Sequence, residues 1–124
     1  DATKGWIPIE DDDVSDVPSK GNPYGIFGYG YNNLSITNLV SNAGVVATDT
    51  TGVGTGRFGL AATQYGGNKG IFGYGYSGGV VSVSNLVNSS GVVASDVSGV
   101  GTARRELAAC SFGSDKGIFG YGVT

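Results

Sequence analysis

The chain has 124 residues, enough for one domain, with a formal net charge of -3 and only 14% charged residues. Its seven Lys and Arg residues form no basic stripe, which argues against a nucleic-acid-binding protein, and no run of about 20 apolar residues is present for insertion into a membrane. The 24 glycines accompany 40% apolar residues, so the composition is that of a folded chain rather than of a linker.

Residues 1–23 are predicted to form an extended N-terminal arm, because all three prolines of the chain interrupt this segment. Trp6 and Ile7 are the apolar residues with which such an arm would anchor on a neighbouring subunit. The acidic run from Glu10 to Asp16 offers oxygen ligands of the kind that Ca²⁺ binds. It lacks the spacing and the glycine of an EF-hand loop, so a solvated arm is the preferred interpretation.

The remainder, residues 24–124, is predicted to be a repeat domain. The hexapeptide Gly-Ile-Phe-Gly-Tyr-Gly occurs three times, and residues 38–75 align with residues 85–122 at 24 identical positions, without a gap. A sequence period in the mid-forties is typical of propeller blades, solenoids and other arrays.

Each repeat predicts four strands, at residues 35–41, 45–51, 58–65 and 70–76 in chain order. β-Branched, small or aromatic side chains dominate these runs, which have the length of ordinary strands. Gly and Asn clusters between them are typical of turns. No segment shows a sustained period of 3.6 residues, so the fold class is predicted to be all-β, with almost no helix.

The aromatic strand contains glycines that need a physical reason, because glycine inside a strand weakens it. Gly73 and Gly75 are predicted to give room for close approach of a neighbouring segment or for a β-bulge. The preceding Ile-Phe pair at residues 71–72 is expected to be buried. Because the repeats should be equivalent, Ile118 and Phe119 are expected to be buried in the same way.

The order of these signals resembles the kelch repeat. Arg57, a strand of small residues, a turn at residues 66–69 and the apolar strand at residues 71–75 follow the order of a kelch blade, and Arg104 begins the next one. The Gly-Tyr-Gly motif of these repeats is similar to that of repeats in predicted proteins of marine bacteriophages. The resemblance implies four-stranded antiparallel blades in a β-propeller-like fold, with about two repeats per chain, and an extracellular or virion-associated location.

The chain departs from the kelch pattern in two places. It has Gly-Tyr-Gly where kelch repeats carry Gly-Gly, and apolar residues where they carry an outer-strand Tyr and Trp. No functional residue of that family therefore carries over. Propellers need roughly four to eight blades, and about two are present. Partners are accordingly expected to be other protein chains, in a homo-oligomer or a larger assembly.

Catalysis is not expected, since the chain has no His. Cys110 would need a base to become a nucleophile, so it is predicted to be a small buried side chain. Zinc sets of His and Cys, cofactor motifs and nucleotide-binding motifs are absent from the sequence. The matched residues Asp49 and Asp96, like Arg57 and Arg104, share equivalent environments, which favours a structural salt bridge or a turn cap over an acid–base pair.

Two functions follow from different classes. One is a non-enzymatic structural or assembly protein, a subunit of a virion, a fibre or another extracellular assembly. The alternative is a lectin-like module that binds carbohydrate through tyrosines, whose rings suit interfaces and sugar faces. The candidate interaction residues are Trp6, Ile7, Tyr31, Tyr76, Ile118, Phe119 and Tyr121.

Overall fold

The computed structural model describes residues 23–124, and throughout them the chain is all-β, without a helix. It follows that this part of the chain holds no helix long and apolar enough to cross a membrane. The seven strands in chain order are β1 Tyr24–Gly30, β2 Leu34–Ser41, β3 Ala61–Tyr65, β4 Lys69–Tyr76, β5 Val80–Val87, β6 Ala108–Phe112 and β7 Lys116–Gly120. The predicted all-β class is confirmed.

The strands form three small antiparallel sheets, which are β1-β2, β3-β4-β5 and β6-β7. Three units follow one another along the chain, and we call residues 24–50 the first unit, residues 57–97 the second unit and residues 104–124 the third unit. Equivalent strands pair in equivalent registers, since Ala61 faces Gly73 in the second unit as Ala108 faces Gly120 in the third. The sequence repeat is therefore also a repeat of strand pairing.

The strand predicted at residues 45–51 is not a regular strand. The backbone of this segment pairs with β2 in two isolated bridges rather than in a continuous ladder, and the second unit repeats both bridges one period later. The Asn38 side chain explains the interruption, because its amide donates to the Ala47 carbonyl oxygen at 3.1 Å. A side chain thus takes an acceptor that a continuous ladder would use. The bridged pairs are Val40 with Val46, Thr37 with Thr50, Val87 with Val93, and Ser84 with Val97.

The small-residue strand is shorter than predicted, because β3 begins at Ala61 rather than at residue 58. Phe58 instead forms an isolated two-hydrogen-bond bridge with Tyr76, with nitrogen–oxygen distances of 3.1 and 2.8 Å. Gly59 follows with a φ of 67°, which turns the backbone out of the extended conformation. The chain therefore enters the second unit through a short bridge before the sheet begins, and the bridge of Arg105 with Val123 is its equivalent in the third unit.

The predicted bulge in the aromatic strand is confirmed. The register of β4 with β5 shifts between Gly73 and Gly75, and Tyr74 between them has a φ of 65°. A Cβ on Gly73 would lie 3.0 Å from the ring of Phe119, and one on Gly75 would lie 2.9 Å from the Phe58 carbonyl oxygen. A side chain at position 75 would overlap backbone, and one at position 73 would crowd the Phe119 ring, because neighbouring segments touch the backbone there.

The apolar core lies between the first and second units. Tyr29, Phe72, Val87 and Val93 are its buried members. The expected burial of both Ile-Phe pairs is confirmed only for Phe72, since Ile71 and Phe119 are half-buried and Ile118 is 53% exposed. The second unit, which contains Phe72, lies between the first and third units, whereas the third unit contacts only the second among the described residues.

The expected burial of Cys110 is also wrong, because this side chain is exposed. Its counterpart Thr63 lies on β3, which packs against β6 and β7 of the third unit. Within residues 23–124, no further unit packs on β6 in the same way. The two residues share a place in the repeat but not a neighbour.

Candidate functional site

The surfaces through which consecutive units contact each other are the most elaborate feature of the molecule. Each is centred on the tyrosine of the Gly-Tyr-Gly bulge, and Tyr29, Tyr74 and Tyr121 all have φ values between 65° and 68°. This left-handed conformation is uncommon for a bulky side chain. Because it recurs at the same position of three units, it is a built feature that aims each tyrosine out of its own sheet.

The tyrosine rings step from one unit to the next. Tyr29 of the first unit packs on Phe72 of the second, with ring centroids 5.0 Å apart. Tyr74 of the second unit packs on Phe119 of the third at 5.6 Å. Both pairs are tilted, as aromatic pairs prefer to be. The same contact therefore joins two successive pairs of units.

The hydroxyl groups of these tyrosines are also used in the same way. Tyr29 donates to the carbonyl oxygen of Val53 at 3.0 Å, and Tyr74 donates to that of Val100 at 2.8 Å. Both acceptors lie in the segments that link one unit to the next. Each tyrosine therefore fixes the linking segment as well as the neighbouring sheet.

Arg57 occupies the centre of the first contact surface and is completely buried. Its Nε donates to the Tyr74 carbonyl oxygen at 2.6 Å and its Nη1 to the Thr55 carbonyl oxygen at 2.9 Å. The guanidinium also lies 4.6 Å from the centroid of the Tyr29 ring, within cation–π range. Arg57 therefore has a structural role, as predicted, and caps two backbone carbonyl oxygens.

Arg104 repeats these contacts more loosely in the third unit. Its Nε donates to the Thr102 carbonyl oxygen at 3.1 Å and its Nη1 to the Tyr121 carbonyl oxygen at 3.2 Å. Its guanidinium is 5.9 Å from the ring of Tyr74. The two units share the chemistry of the cap, but the second copy is partly exposed.

A second polar cluster surrounds Asp96. Its carboxylate accepts from the Thr55 hydroxyl at 2.6 Å, from the Thr55 backbone amide at 3.1 and 3.2 Å, and from Asn85 Nδ2 at 2.9 Å. Asn85 is completely buried. Asp96 therefore caps the segment that enters the second unit, which corresponds to the turn cap, one of the two structural roles predicted for this position. In the first unit only the Asn38–Asp49 hydrogen bond, at 2.8 Å, is repeated among the described residues.

These two clusters determine the local electrostatics. Burial raises the pKa of Tyr29, although the charge of Arg57 opposes this shift. Burial lowers the pKa of Arg57, against the influence of Tyr29 and Asp96. Burial alone would raise the pKa of Asp96, but the hydrogen bonds from Thr55 and Asn85 together with the charge of Arg57 outweigh it and hold that pKa below its usual value.

Two polar atoms of this region have no hydrogen-bond partner within residues 23–124, namely Arg57 Nη2 and Asn85 Oδ1, and both are buried. Unsatisfied buried groups are costly. The remaining groups are occupied with one another and with the backbone. The arrangement can hold units together, and it presents no nucleophile paired with a base.

A second aromatic series runs beside the first. Tyr31, Phe58 and Tyr76 stack in succession with centroid distances of 5.3 Å in both steps. Arg105 continues the series 5.2 Å from the Tyr76 ring. Since Arg105 stands at the position of Phe58 in the repeat, a cation replaces a ring at the third unit. Tyr31 and Tyr76, two of the predicted interaction residues, thus contact residues of the following unit within the chain.

The other predicted interaction residues are distributed unevenly. Tyr31 is 74% exposed despite its stacking, Tyr76 is half-buried, and Tyr121 is 88% exposed. Ile118 and Phe119 lie on β7 in the third unit. The structure brings Ile118, Phe119 and Tyr121 together at one end of the described chain. Trp6 and Ile7, like the acidic run at residues 10–16, lie outside the described residues.

A groove of about 380 Å³ separates β1 from β3 and β4. Its walls carry Tyr24, Thr63, Gln64 and Lys69 beside apolar residues. No group of three or more His, Cys, Asp or Glu side chains that could hold a metal ion is found within residues 23–124.

Sequence reasoning did not single out Asn85 or Thr55, although both have counterparts one period away. A repeated Asn, Asp, Thr and Arg among apolar residues is the signal that could have identified this cluster. The sequence matches no model of a known protein family and no curated protein.

Proposed function

We propose that this chain is a non-enzymatic structural protein that works by packing its repeat units against other protein chains, as a subunit of a virion, a fibre or another extracellular assembly. The observation that carries the proposal is the repeated contact between units, in which Tyr29 packs on Phe72 and Tyr74 packs on Phe119. Polar groups that could otherwise serve chemistry are used in these contacts. In repeat proteins such nearest-neighbour interfaces supply much of the stability.

The proposal includes the architecture of the units. Each would be a blade of a β-propeller-like array, and the second unit comes nearest to a whole blade, with three regular strands and the bridged segment at residues 93–97 in the place of a fourth. Pairing of Val87 with Val93 and of Ser84 with Val97 supports this, because it puts residues 93–97 beside β5. A propeller is completed by further blades, so the architecture and the assembling function support each other.

The test is the mass of the full chain in solution. Size exclusion with multi-angle light scattering, followed by electron microscopy of the main peak, should give a multiple of 12.5 kDa and a ring or filament. A particle that remains at 12.5 kDa at every concentration would contradict the proposal.

The groove beside β1 favours a second candidate, a carbohydrate-binding module. Tyr24 is 46% exposed at its rim, and Gln64 and Lys69 offer hydrogen-bonding groups. Sugars are commonly bound by such a combination of ring and polar groups. A chain that stays monomeric and binds on a glycan array would favour this function over assembly.

A further inference from the structure

We propose that the third unit of one chain packs on the first unit of a second copy of the chain, so that copies join head to tail. This inference rests on the proposed assembly function and names its partner and its surfaces. The partner surface is the exposed face of β1, and the surface that receives it is the exposed face of β6 and β7.

The contact between the second and third units is the template for this interface. There, Tyr74 packs on Phe119. Tyr121 of the third unit stands at the position of Tyr74, and Phe27 of the first unit stands at the position of Phe119. Tyr121 is 88% exposed and Phe27 is 53% exposed. Tyr121 has the same left-handed backbone as Tyr74, with a φ of 68°. It is therefore already held in the conformation that engages a phenylalanine of the next unit.

The backbone of the template interface is equally specific. The Gly66 amide donates to the Asp115 carbonyl oxygen at 2.6 Å, and the Gly75 amide donates to that of Arg104 at 2.9 Å. Such close approach is possible because glycines face the neighbour. A Cβ on Gly117 would lie 2.7 Å from the Thr63 methyl carbon.

The repeat transfers this contact to the outer faces. Cys110 stands at the position of Thr63, and Gly25 at the position of Gly117. Both are exposed in the described chain. In the proposed interface, Cys110 of one copy lies against Gly25 of the next.

The complementarity is what identifies a second copy as the occupant. The β6-β7 face needs a phenylalanine for Tyr121 and a glycine for Cys110, at the spacing of a Gly-Ile-Phe strand. Strand β1 provides both, as Gly25 and Phe27. Because the two surfaces differ, the interface is heterologous and extends into a ring or an open filament, unlike the isologous contact of a self-complementary pair.

The experiment uses the full chain with the substitution Gly25→Cys. Gly25 accepts a side chain, because the nearest atom to its Cβ would be the Val40 Cβ at 3.8 Å. The Thr63 Cβ is one bond from the methyl that would contact a Gly117 Cβ, so equivalent Cβ atoms fall in the roughly 3.5–4.5 Å range of a disulfide. Oxidation by oxidised glutathione should then yield a ladder of covalent multimers on a non-reducing gel.

Three matched variants make the result specific. Gly25→Cys combined with Cys110→Ser should give no ladder, since each chain then keeps one thiol. Gly79→Cys retains Cys110 but moves the second thiol to an open site, with no atom within 4 Å of its Cβ, and should also give none. Thr63→Cys with Gly117→Cys and Cys110→Ser should close a disulfide within one chain, which checks the template.

A ladder that requires both the Gly25→Cys substitution and the natural Cys110 supports the inference. Its absence, with the intrachain disulfide of the template variant formed, overturns head-to-tail packing. Absence of that intrachain disulfide overturns it as well, because the template itself would be wrong. Multimers in light scattering without a ladder leave the assembly function standing and refute only these surfaces, whereas a strict monomer refutes both.

Discussion

The second and third units contain the same Gly-Ile-Phe-Gly-Tyr-Gly sequence, yet its side chains are buried to different extents. In the second unit Phe72 is 4% exposed and Tyr74 is half-buried, whereas in the third unit Phe119 is half-buried and Tyr121 is 88% exposed. The strands pair in the same register within their own sheets. β4 also pairs with β5, for which β7 has no counterpart among the described residues. The difference in burial therefore comes from the neighbouring strand and the neighbouring unit rather than from the sequence of the strand itself.

The largest expected effect comes from removing a ring at an interface that has neighbours on both sides. Phe72→Ala should cost about 3–5 kcal/mol of unfolding free energy, because it opens a cavity in the core beneath Tyr29. Phe27→Ala removes the same group from a strand of the same sequence, but its ring is 53% exposed. That control should cost less than about 1 kcal/mol. Denaturant unfolding of both variants checks the comparison, and equal losses would mean that position in the strand, rather than the neighbour, sets the energy.

The buried arginine offers a sharper contrast between the same two units. Arg57→Met keeps much of the aliphatic stem but leaves the Tyr74 and Thr55 carbonyl oxygens without their donor. We expect a loss of about 2–3 kcal/mol. Arg104→Met removes longer and more exposed hydrogen bonds, at 3.1 and 3.2 Å, and should cost less than about 1 kcal/mol. If Arg104→Met lost more unfolding free energy than Arg57→Met in the same measurement, burial would not be what makes the Arg57 hydrogen bonds the stronger ones.

A pair of glycines separates backbone strain from crowding. Gly54 and Gly101 are equivalent and have φ values of 79° and 78°. A Cβ on Gly54 would lie 2.5 Å from Asn85 Nδ2 and would also overlap Asp96, whereas on Gly101 the nearest atom is the Tyr74 hydroxyl at 3.8 Å. Gly101→Ala should therefore cost only the roughly 1 kcal/mol of a left-handed alanine.

Gly54→Ala should cost about 1 kcal/mol more than Gly101→Ala, because it also pushes Asp96 away from Thr55. Thermal unfolding of the two variants measures this difference directly. If the two midpoints agree, the Asp96 cluster adjusts without loss and contributes little to the interface.

Local signals in the sequence predict most of the fold but little of the interface. The alternating β-branched and aromatic runs identify the strands, and the paired glycines around Tyr74 identify the bulge, since both depend on residues close in sequence. Residues 45–51 have the composition of a strand, yet the Asn38 side chain takes a backbone acceptor there. Strand propensity does not describe the competition between a side-chain amide and a backbone amide for the same carbonyl oxygen.

The burial of Arg57 could not be predicted for a related reason. Its partners come from the linking segment and from the end of β4, and its stacking partner Tyr29 belongs to another unit. Arg104 has nearly the same local sequence and remains partly exposed. Only the arrangement of successive units distinguishes them, so the repeat predicts the chemistry of the contact but not which copy is buried.

The smallest expected effect is a change in acid stability at the Asp96 cluster. Hydrogen bonds from Thr55 and Asn85 and the charge of Arg57 outweigh the effect of burial and hold the pKa of Asp96 below its usual value. The unfolded chain therefore binds more protons than the folded chain as the pH falls below the ordinary pKa of about 3.9. The stabilisation is fully present above that pH and is lost as the pH falls through the folded-state pKa.

Asp96→Asn should remove this part of the acid dependence, so that its stability falls less steeply than that of the unsubstituted chain below about pH 4. Asp49→Asn is the matched control, because within the described residues Asp49 accepts only from Asn38 and has no counterpart of the Thr55 contacts. At about pH 6 this control should lower the thermal midpoint less than Asp96→Asn does, because it loses no contact with Thr55. The measurement is the thermal midpoint as a function of pH, from about pH 2 to about pH 6, because this range brackets the ordinary carboxyl pKa. Parallel curves for Asp96→Asn and the unsubstituted chain would show that the Asp96 carboxylate is not what couples this interface to pH.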